Sequence, residues 1–468
     1  MAASKVNTLP KPCTPCKSRH GAVIGAGAAG LVAARELRRE SHSVVVYERE
    51  SQVGGTWIYM AETEPDLLGL DPDRTVVHSS LYRSLRTNLP REVMGFGDYP
   101  FVARQEWSGD PRRFPGHAEV LAYLKGFARE FGIEEMVRFE REVVKVSLLE
   151  ANDGGNCKWR VKSRKKSSGT CSGDEEDEIF DAVVVCNGHY TEPRVAEILG
   201  IEAWPGKQIH SHNYRTPEPF KDRVVVLIGN SVSALDISRD VAPVAKEVHL
   251  AIRSSNGATL GKQPGFSNMW LHPMIKLVHE DGAVVFADGT SVYANVILHC
   301  TGYKYHFPFL ETNGVVSVDD NRVGPLYKHV FPPVLAPWLS FIGLLWKVVP
   351  FPQFEFQSKW IAGVLSGKIA LPSLKEMMEN IEYFYAELEA AGIPKRYTHR
   401  QSKTQFLYND WLADQCGIPG MEEWKKGMYS AASQNKLARP ETYRDEWEDD
   451  DLVSRAYEDF ARFTSSQM

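Results

Sequence analysis

Ala22-Val23-Ile24-Gly25-Ala26-Gly27-Ala28-Ala29-Gly30-Leu31 decides how the rest of the chain is read. Three apolar residues make a short buried strand, the glycines follow in G-x-G-x-x-G spacing, and Leu31 to Leu37 reads as a helix. Ser43 to Tyr47 is a second apolar strand and closes at Glu48. Together they form one β-α-β unit of the length a parallel sheet needs. In such a unit the first glycine permits the tight turn. The second lets backbone approach a pyrophosphate, and the third lets helix pack on strand. The diphosphate rests on the N-terminus of the helix beginning near Ala28, where free N–H groups and the helix dipole favour negative charge. Glu48 stands where an acid accepts hydrogen bonds from ribose hydroxyls. The dinucleotide-binding residues expected here are Gly25, Ala26, Gly27, Ala28, Ala29, Gly30 and Glu48.

Gly54-Gly55-Thr56-Trp57 lies just past the ribose acid. A second glycine pair at this place favours FAD over NAD and adds Gly55, Thr56 and Trp57 to the expected flavin nucleotide site. The same grammar returns at Arg223: Val224 to Ile228 is a strand, Leu235 to Val241 a helix, and Glu247 to Ile252 a strand ending at Arg253. The turn Gly229-Asn230-Ser231-Val232-Ser233-Ala234 keeps one glycine of three. Ser231 stands where backbone should approach the phosphates and Ala234 where helix meets strand; alanine is an accepted substitute at that last place. Arg253 occupies the strand end where a cation meets the 2′-phosphate of NADP, so NADPH is expected over NADH. Two such units imply two nucleotides.

The remaining features bound the reading. At 468 residues the chain exceeds a single core, and 43% hydrophobic with 24% charged residues is ordinary for a globular protein. A net charge of −6 argues against a nucleic-acid binder. Seven cysteines at irregular spacing suit a reducing compartment rather than a disulfide framework. Cys13 and Cys16 form a lone CxxC among prolines and lysines, with no second pair to complete a metal site. No apolar run reaches membrane-spanning length; Val334 to Trp346 is interrupted by Pro337 and reads as a buried strand and turn. Residues 1–19 read as a disordered tail, Lys162 to Glu178 as a solvated hairpin tip, and Glu446 to Asp451 as a surface acidic stretch. Helices are expected over Phe354 to Leu365, Leu374 to Ala390 and Ala456 to Phe463. A cytoplasmic location and no protein partner are expected.

Three further stretches carry a resemblance. Trp204-Pro205-Gly206, His210 and Tyr214 reproduce the spacing F-x-G-x-x-x-H-x-x-x-[YF], with Trp in place of the leading Phe. Thr87-Asn88-Leu89-Pro90 precedes Met94-Gly95-Phe96, and Cys300-Thr301-Gly302-Tyr303 follows the second unit. With both glycine loops these resemble the flavin-containing monooxygenase family from about His20 to Arg396. Pro115-Gly116-His117, Asn187 to Tyr190 and Gln208 to Arg215 look closest to its plant S-oxygenating branch, which includes glucosinolate and S-alkyl-cysteine sulfoxide-forming enzymes.

The resemblance implies an α/β fold with two Rossmann-like domains, the NADPH domain inserted into a discontinuous FAD domain. The expected boundaries are 20–208 and 318–468 for FAD and 209–317 for NADPH. It also implies hydride transfer from NADPH to the flavin, capture of O2 as a C4a-hydroperoxide, and oxygenation of a small thioether to a sulfoxide. Thr87 and Asn88 would then lie beside the flavin, Asn88 as the catalytic residue, its amide able to donate and accept at once. For His210 and Tyr214 a structural role stands beside one at bound NADP, and Thr301 and Gly302 form the expected hinge. N-hydroxylation and Baeyer–Villiger oxidation are the alternatives, the latter disfavoured by Tyr214-Arg215 where that branch carries Trp-Pro. A non-catalytic flavin-binding redox sensor, suggested by the altered second loop, is the alternative of another class.

Overall fold

The structure is a computed structural model that describes residues 17–104, 107–149, 158–166, 174–254 and 259–464. The expectations for residues 1–16, Cys13 and Cys16 among them, lie outside the described residues, as do residues 167–173 of the stretch expected as a hairpin tip; its flanks, up to residue 165 and from residue 175, are paired strands instead.

His20–Ile24 is the central strand of a five-stranded parallel sheet. Ser43–Tyr47 and Val137–Arg138 follow on one side, Ala182–Val185 and Leu339–Phe341 on the other. A parallel sheet must be covered on both faces, and the period of two along each strand sorts the side chains. Val23, Val46 and Val184 point to the face where the helices Ala28–Arg39 and Pro350–Leu365 lie. Ala22, Ile24, Tyr47, Val183 and Val185 pack on the other face against Trp159, Val161 and Phe180 of an antiparallel meander. That meander comprises Arg141–Leu149, Lys158–Lys165 and Glu175–Phe180.

The turn into the first helix is set by contact between backbones. A Cβ on Gly30 would lie 1.8 Å from the Gly25 carbonyl oxygen, and one on Gly25 would lie 2.7 Å from that of Cys186. Gly25 also has φ +103°, which favours glycine.

The second unit repeats the plan. Val224–Ile228 sits within a six-stranded sheet between Glu247–Ile252 and Val296–His299, with Met269–Pro273 and Lys207–His210 beyond them, all parallel. Gly261–Lys262 adds an antiparallel edge. The helix Val232–Val241 covers one face through Ala234, Ile237 and Val241. A small antiparallel sheet covers the other, packing Val278, Val284 and Phe286 on Val224, Val226 and Ile228.

Where the chain passes between the units, Glu192–Pro193 pairs antiparallel with Tyr303–Lys304. The Arg194 N–H donates to the Gly302 carbonyl at 2.9 Å. Leu310–Glu311 then joins the first unit's meander. The last third is helical: Leu374–Ala390, Gln405–Cys416, Glu423–Ala438 and Asp450–Thr464. The helix expected from Phe354 begins earlier, at Pro350, where proline suits a first turn. The acidic stretch at 446–451 is not all surface: Asp449 is buried and receives both arms of Arg113, at 2.5 and 2.8 Å. No helix among the described residues is long and apolar enough to cross a membrane.

Two predictions follow from this packing. Ala234, which occupies the place of Gly30 in the second unit, carries its Cβ fully buried. Gly30→Ala should therefore destabilise by about 1–3 kcal/mol or more through overpacking. Ala234→Gly should cost about 1 kcal/mol through helix propensity; urea unfolding that shows equal losses contradicts this.

Buried histidines supply the second prediction. Burial pushes His210 down to about 3, His299 and His329 to about 4, and His399 well below its usual value. The Val323 N–H donates to Nε2 of His399, so this ring's proton sits on Nδ1 and is directed to Nδ1 of His329 at 3.1 Å. Above pH about 6.5 both folded and unfolded states hold these rings neutral. Below it only the unfolded chain takes up protons, so stability is lost at about 1.4 kcal/mol per pH unit for each ring down to their folded values. Burial raises Glu36, Glu48 and Glu92, which opposes the trend but involves fewer groups. Melting temperature should fall from pH 7.5 to 5; a flat profile refutes the account.

Candidate functional site

The first glycine loop is a cradle made from two segments. Gly27 caps the helix Ala28–Arg39 with φ −76°, so its conformation is open to any residue. Its small size matters because Gly55 lies against it: a Cβ on Gly55 would come 2.9 Å from the Gly27 Cα. The Gly54 N–H donates to the Ala26 carbonyl at 3.0 Å, tying the second glycine pair to the first loop. Gly54 and Gly55 both have positive φ. No side chain caps the helix at Gly27 and no acid lies in its first turn. The N–H groups of Ala28, Ala29 and Gly30 are thus left to an anion.

Glu48 is buried directly after the second strand. One carboxylate oxygen accepts from the Ala26 N–H at 2.8 Å and the other from the Glu50 N–H at 2.9 Å. Burial raises its pKa, and the two amides work against that. Each oxygen retains a lone pair for a hydroxyl donor. Trp57 is half-buried and meets Phe351 edge-on at 6.5 Å, and the Thr56 carbonyl accepts from the Ser79 hydroxyl at 3.1 Å. Gly343, Phe354 and Ala29 converge, so the first turns of Pro350–Leu365 lie beside this loop.

In the second loop Gly229 has φ +133° and faces the Cys300 carbonyl as Gly25 faces that of Cys186. Ser231 takes the place of Gly27 with φ −101° and ψ −174°, which any residue adopts without strain. Its side chain is exposed and does not cap the helix, and no acid lies in that first turn either. Asn230 reaches the Ser254 carbonyl at 3.4 Å, joining the loop to the strand end. Val232 and Ser233 are half-buried and Ala234 is buried. Arg253 is exposed beside it, with no carboxylate partner among the described residues.

Thr87 is buried and fully bonded: its N–H donates to the Pro115 carbonyl at 2.8 Å and its hydroxyl to the Leu89 carbonyl at 2.8 Å. Its own carbonyl accepts from Arg444 Nε at 2.9 Å. Asn88, next to it, is exposed and makes no side-chain hydrogen bond among the described residues. The neighbouring backbone is held while its amide is left available.

The signature residues 204–215 are bonded into the second unit and to the chain at 60–82. The Trp204 ring lies over Gly206, where a Cβ would come 2.2 Å from it, and its N–H donates to the Gly282 carbonyl. His210 is buried, and its Nδ1 accepts from the His212 N–H at 3.0 Å. The Tyr214 hydroxyl donates to Asp240 at 2.5 Å. Thr301 donates through its hydroxyl to the Arg194 carbonyl, and Gly302, with φ +85°, sits at the crossing of the two connecting strands.

Sequence reasoning passed over the partners of these residues. His212 meets Glu64 at 3.1 Å, both fully buried, and Arg74 joins Glu64 to Glu192. Arg215 fans out to the carbonyls of Met60, Ser79 and His212. Only the closeness of His212 and Arg215 to the signature hinted at them. No group of three or more His, Cys, Asp or Glu among the described residues has the arrangement to hold a metal ion.

The glycine cradle, the uncapped helix starts and the position of Glu48 fit a dinucleotide. A family model, flavin-binding monooxygenase-like, matches residues 18–262 and 266–418. The chain is 65% identical over 453 residues to Flavin-containing monooxygenase FMO GS-OX-like 4 of Arabidopsis thaliana, covering 96% of this chain and 99% of that one. It is 63% identical to the structure of S-allyl-L-cysteine S-oxygenase from Allium sativum, with TM-score 0.92 over 96% of this chain and 100% of the other. Tmm from Pelagibacter sp. strain HTCC7211 is similar at 26% identity and TM-score 0.75, covering 91% and 93%. The chain belongs to the flavin-binding monooxygenase-like family, whose cofactors are FAD and NADPH.

Proposed function

We propose that this chain is an NADPH- and O2-dependent S-oxygenase that converts a small thioether of the S-alkyl-cysteine or methylthioalkyl type to its sulfoxide. The observation that carries the reading is the full-length likeness to the garlic S-allyl-L-cysteine S-oxygenase. In this reading Gly25 to Gly30 and Gly55 to Trp57 hold FAD, with Glu48 on its ribose. Gly229 to Ala234 hold the NADPH diphosphate, and Arg253 meets the 2′-phosphate. We place the inserted nucleotide unit between Arg194 and Gly302, which are hydrogen-bonded to each other, and the protein in the cytoplasm.

When bound, the flavin supplies the redox chemistry and the activation of oxygen, so the protein's work is placement and exclusion of water. A neutral thioether sulfur needs no base to make it nucleophilic. Asn88 orients the reacting groups by donating and accepting through one amide. The pinned Thr87 backbone keeps that amide in place.

The test is anaerobic reduction by NADPH, followed by oxygen with S-allyl-L-cysteine, a tertiary amine or a cyclic ketone. Flavin bleaching and sulfoxide from the thioether support the reading. Bleaching with product only from amine or ketone overturns the substrate class, and no bleaching overturns the enzyme.

Arg253→Ala should raise the NADPH Michaelis constant roughly tenfold or more, the scale of a lost charge-assisted hydrogen bond, and leave that for NADH nearly unchanged. Equal changes would refute the role. Asn88→Ala should keep its FAD yet release peroxide in place of sulfoxide, and full coupled turnover would end that assignment.

A further inference from the structure

Arg444 lies between the helices Glu423–Ala438 and Asp450–Thr464, more than three hundred residues from the loop it grips. Its Nε donates to the Thr87 carbonyl at 2.9 Å, and one terminal nitrogen reaches the Arg86 carbonyl at 3.5 Å. The two terminal nitrogens close on both oxygens of Asp236, at 3.1 and 2.6 Å. Asp236 belongs to the helix Val232–Val241, whose first residues form the second glycine loop. The pair is mostly buried, with 15% and 10% side-chain exposure.

The grip is returned from the loop. Arg86 donates to the Asp445 carboxylate at 3.0 Å and to the Arg444 carbonyl at 3.2 Å. Arg239 of the same helix donates to the Pro440 carbonyl at 2.7 Å, and Tyr443 is buried against Phe114. The segment 439–445 therefore crosses from the nucleotide helix to the loop that presents Asn88.

We propose that Arg444 is a positioning residue that couples the second glycine helix to the Asn88 loop. The proposal rests on the reading of Asn88 given above. A planar guanidinium can hold a carboxylate and two carbonyls at once, which a lysine ammonium cannot do in one fixed geometry. A change in the helix when NADP binds is carried through Asp236 and Arg444 to the Thr87 carbonyl, one residue from the Asn88 amide.

The test uses the flavin-loaded enzyme. Hydrogen exchange is followed in peptides covering residues 86–90 and 231–240, with and without NADP+, beside the ratio of peroxide to sulfoxide. In the native protein NADP+ should slow exchange in both peptides. Arg444→Met should abolish the slowing at 86–90 while keeping it at 231–240, and should raise the peroxide ratio roughly 2- to 30-fold. Arg444→Lys should fall between. Asp236→Asn cuts the same link from the helix side and serves if Arg444→Met does not fold; combining the two should add little to either.

Retained NADP+ protection at 86–90 in Arg444→Met overturns the coupling. Lost protection with an unchanged peroxide ratio overturns its role in the reaction. The exchange result stands even if Asn88→Ala proves fully active, so failure of the Asn88 reading is distinguishable from failure of the clamp.

Discussion

The fold depends on how closely two backbones approach at the first glycine loop. With a Cβ on Gly30 placed 1.8 Å from the Gly25 oxygen, only glycine lets the helix Ala28–Arg39 lie this close to its strand. That closeness aims the helix start at the strand ends and brings Gly27 against Gly55. The second unit keeps the first contact, Gly229 on the Cys300 carbonyl, and relaxes the others through Ser231 and Ala234. One cradle is thus closed by two segments, while the other has its middle position exposed. This asymmetry suits a cofactor that stays and a nucleotide that comes and goes.

The parts legible in the sequence were those governed by local rules. Strand, turn and helix at 22–37 and 224–241 follow from apolar runs and glycine spacing, and the structure places elements there. Ser231 stood out in the second loop because the sequence does not show how much room the side chain has there. At −101° the position accepts serine, whose side chain is exposed. Helix Gln405–Cys416 was missed because its apolar residues do not fall on one face, and the buried Gln405 and Asn409 hide its inner side. Arg444 could not be found from spacing, since its partners at 86, 87 and 236 become neighbours only in the folded chain.

The signature around 204–214 is built into the packing of the second unit and its contact with the chain at 60–82. Trp204 covers Gly206, His210 receives the His212 amide, and Tyr214 ties down Asp240. The His210 N–H donates to the Leu67 carbonyl and the Tyr214 ring meets Tyr82, which joins the edge strand Lys207–His210 to the segment 60–82. Burial keeps the His210 ring uncharged near neutrality.

The connection at Arg194 and Gly302 carries a lesson about architecture. The stretch from Arg194 to Gly302 begins and ends one hydrogen bond apart, with Tyr303 paired to Pro193. A segment whose termini are neighbours can be spliced into a surface turn of another protein without stretching the host. Ala182–Val185 and Leu339–Phe341, which flank this stretch in the chain, therefore pair side by side with the whole second unit looped out between them.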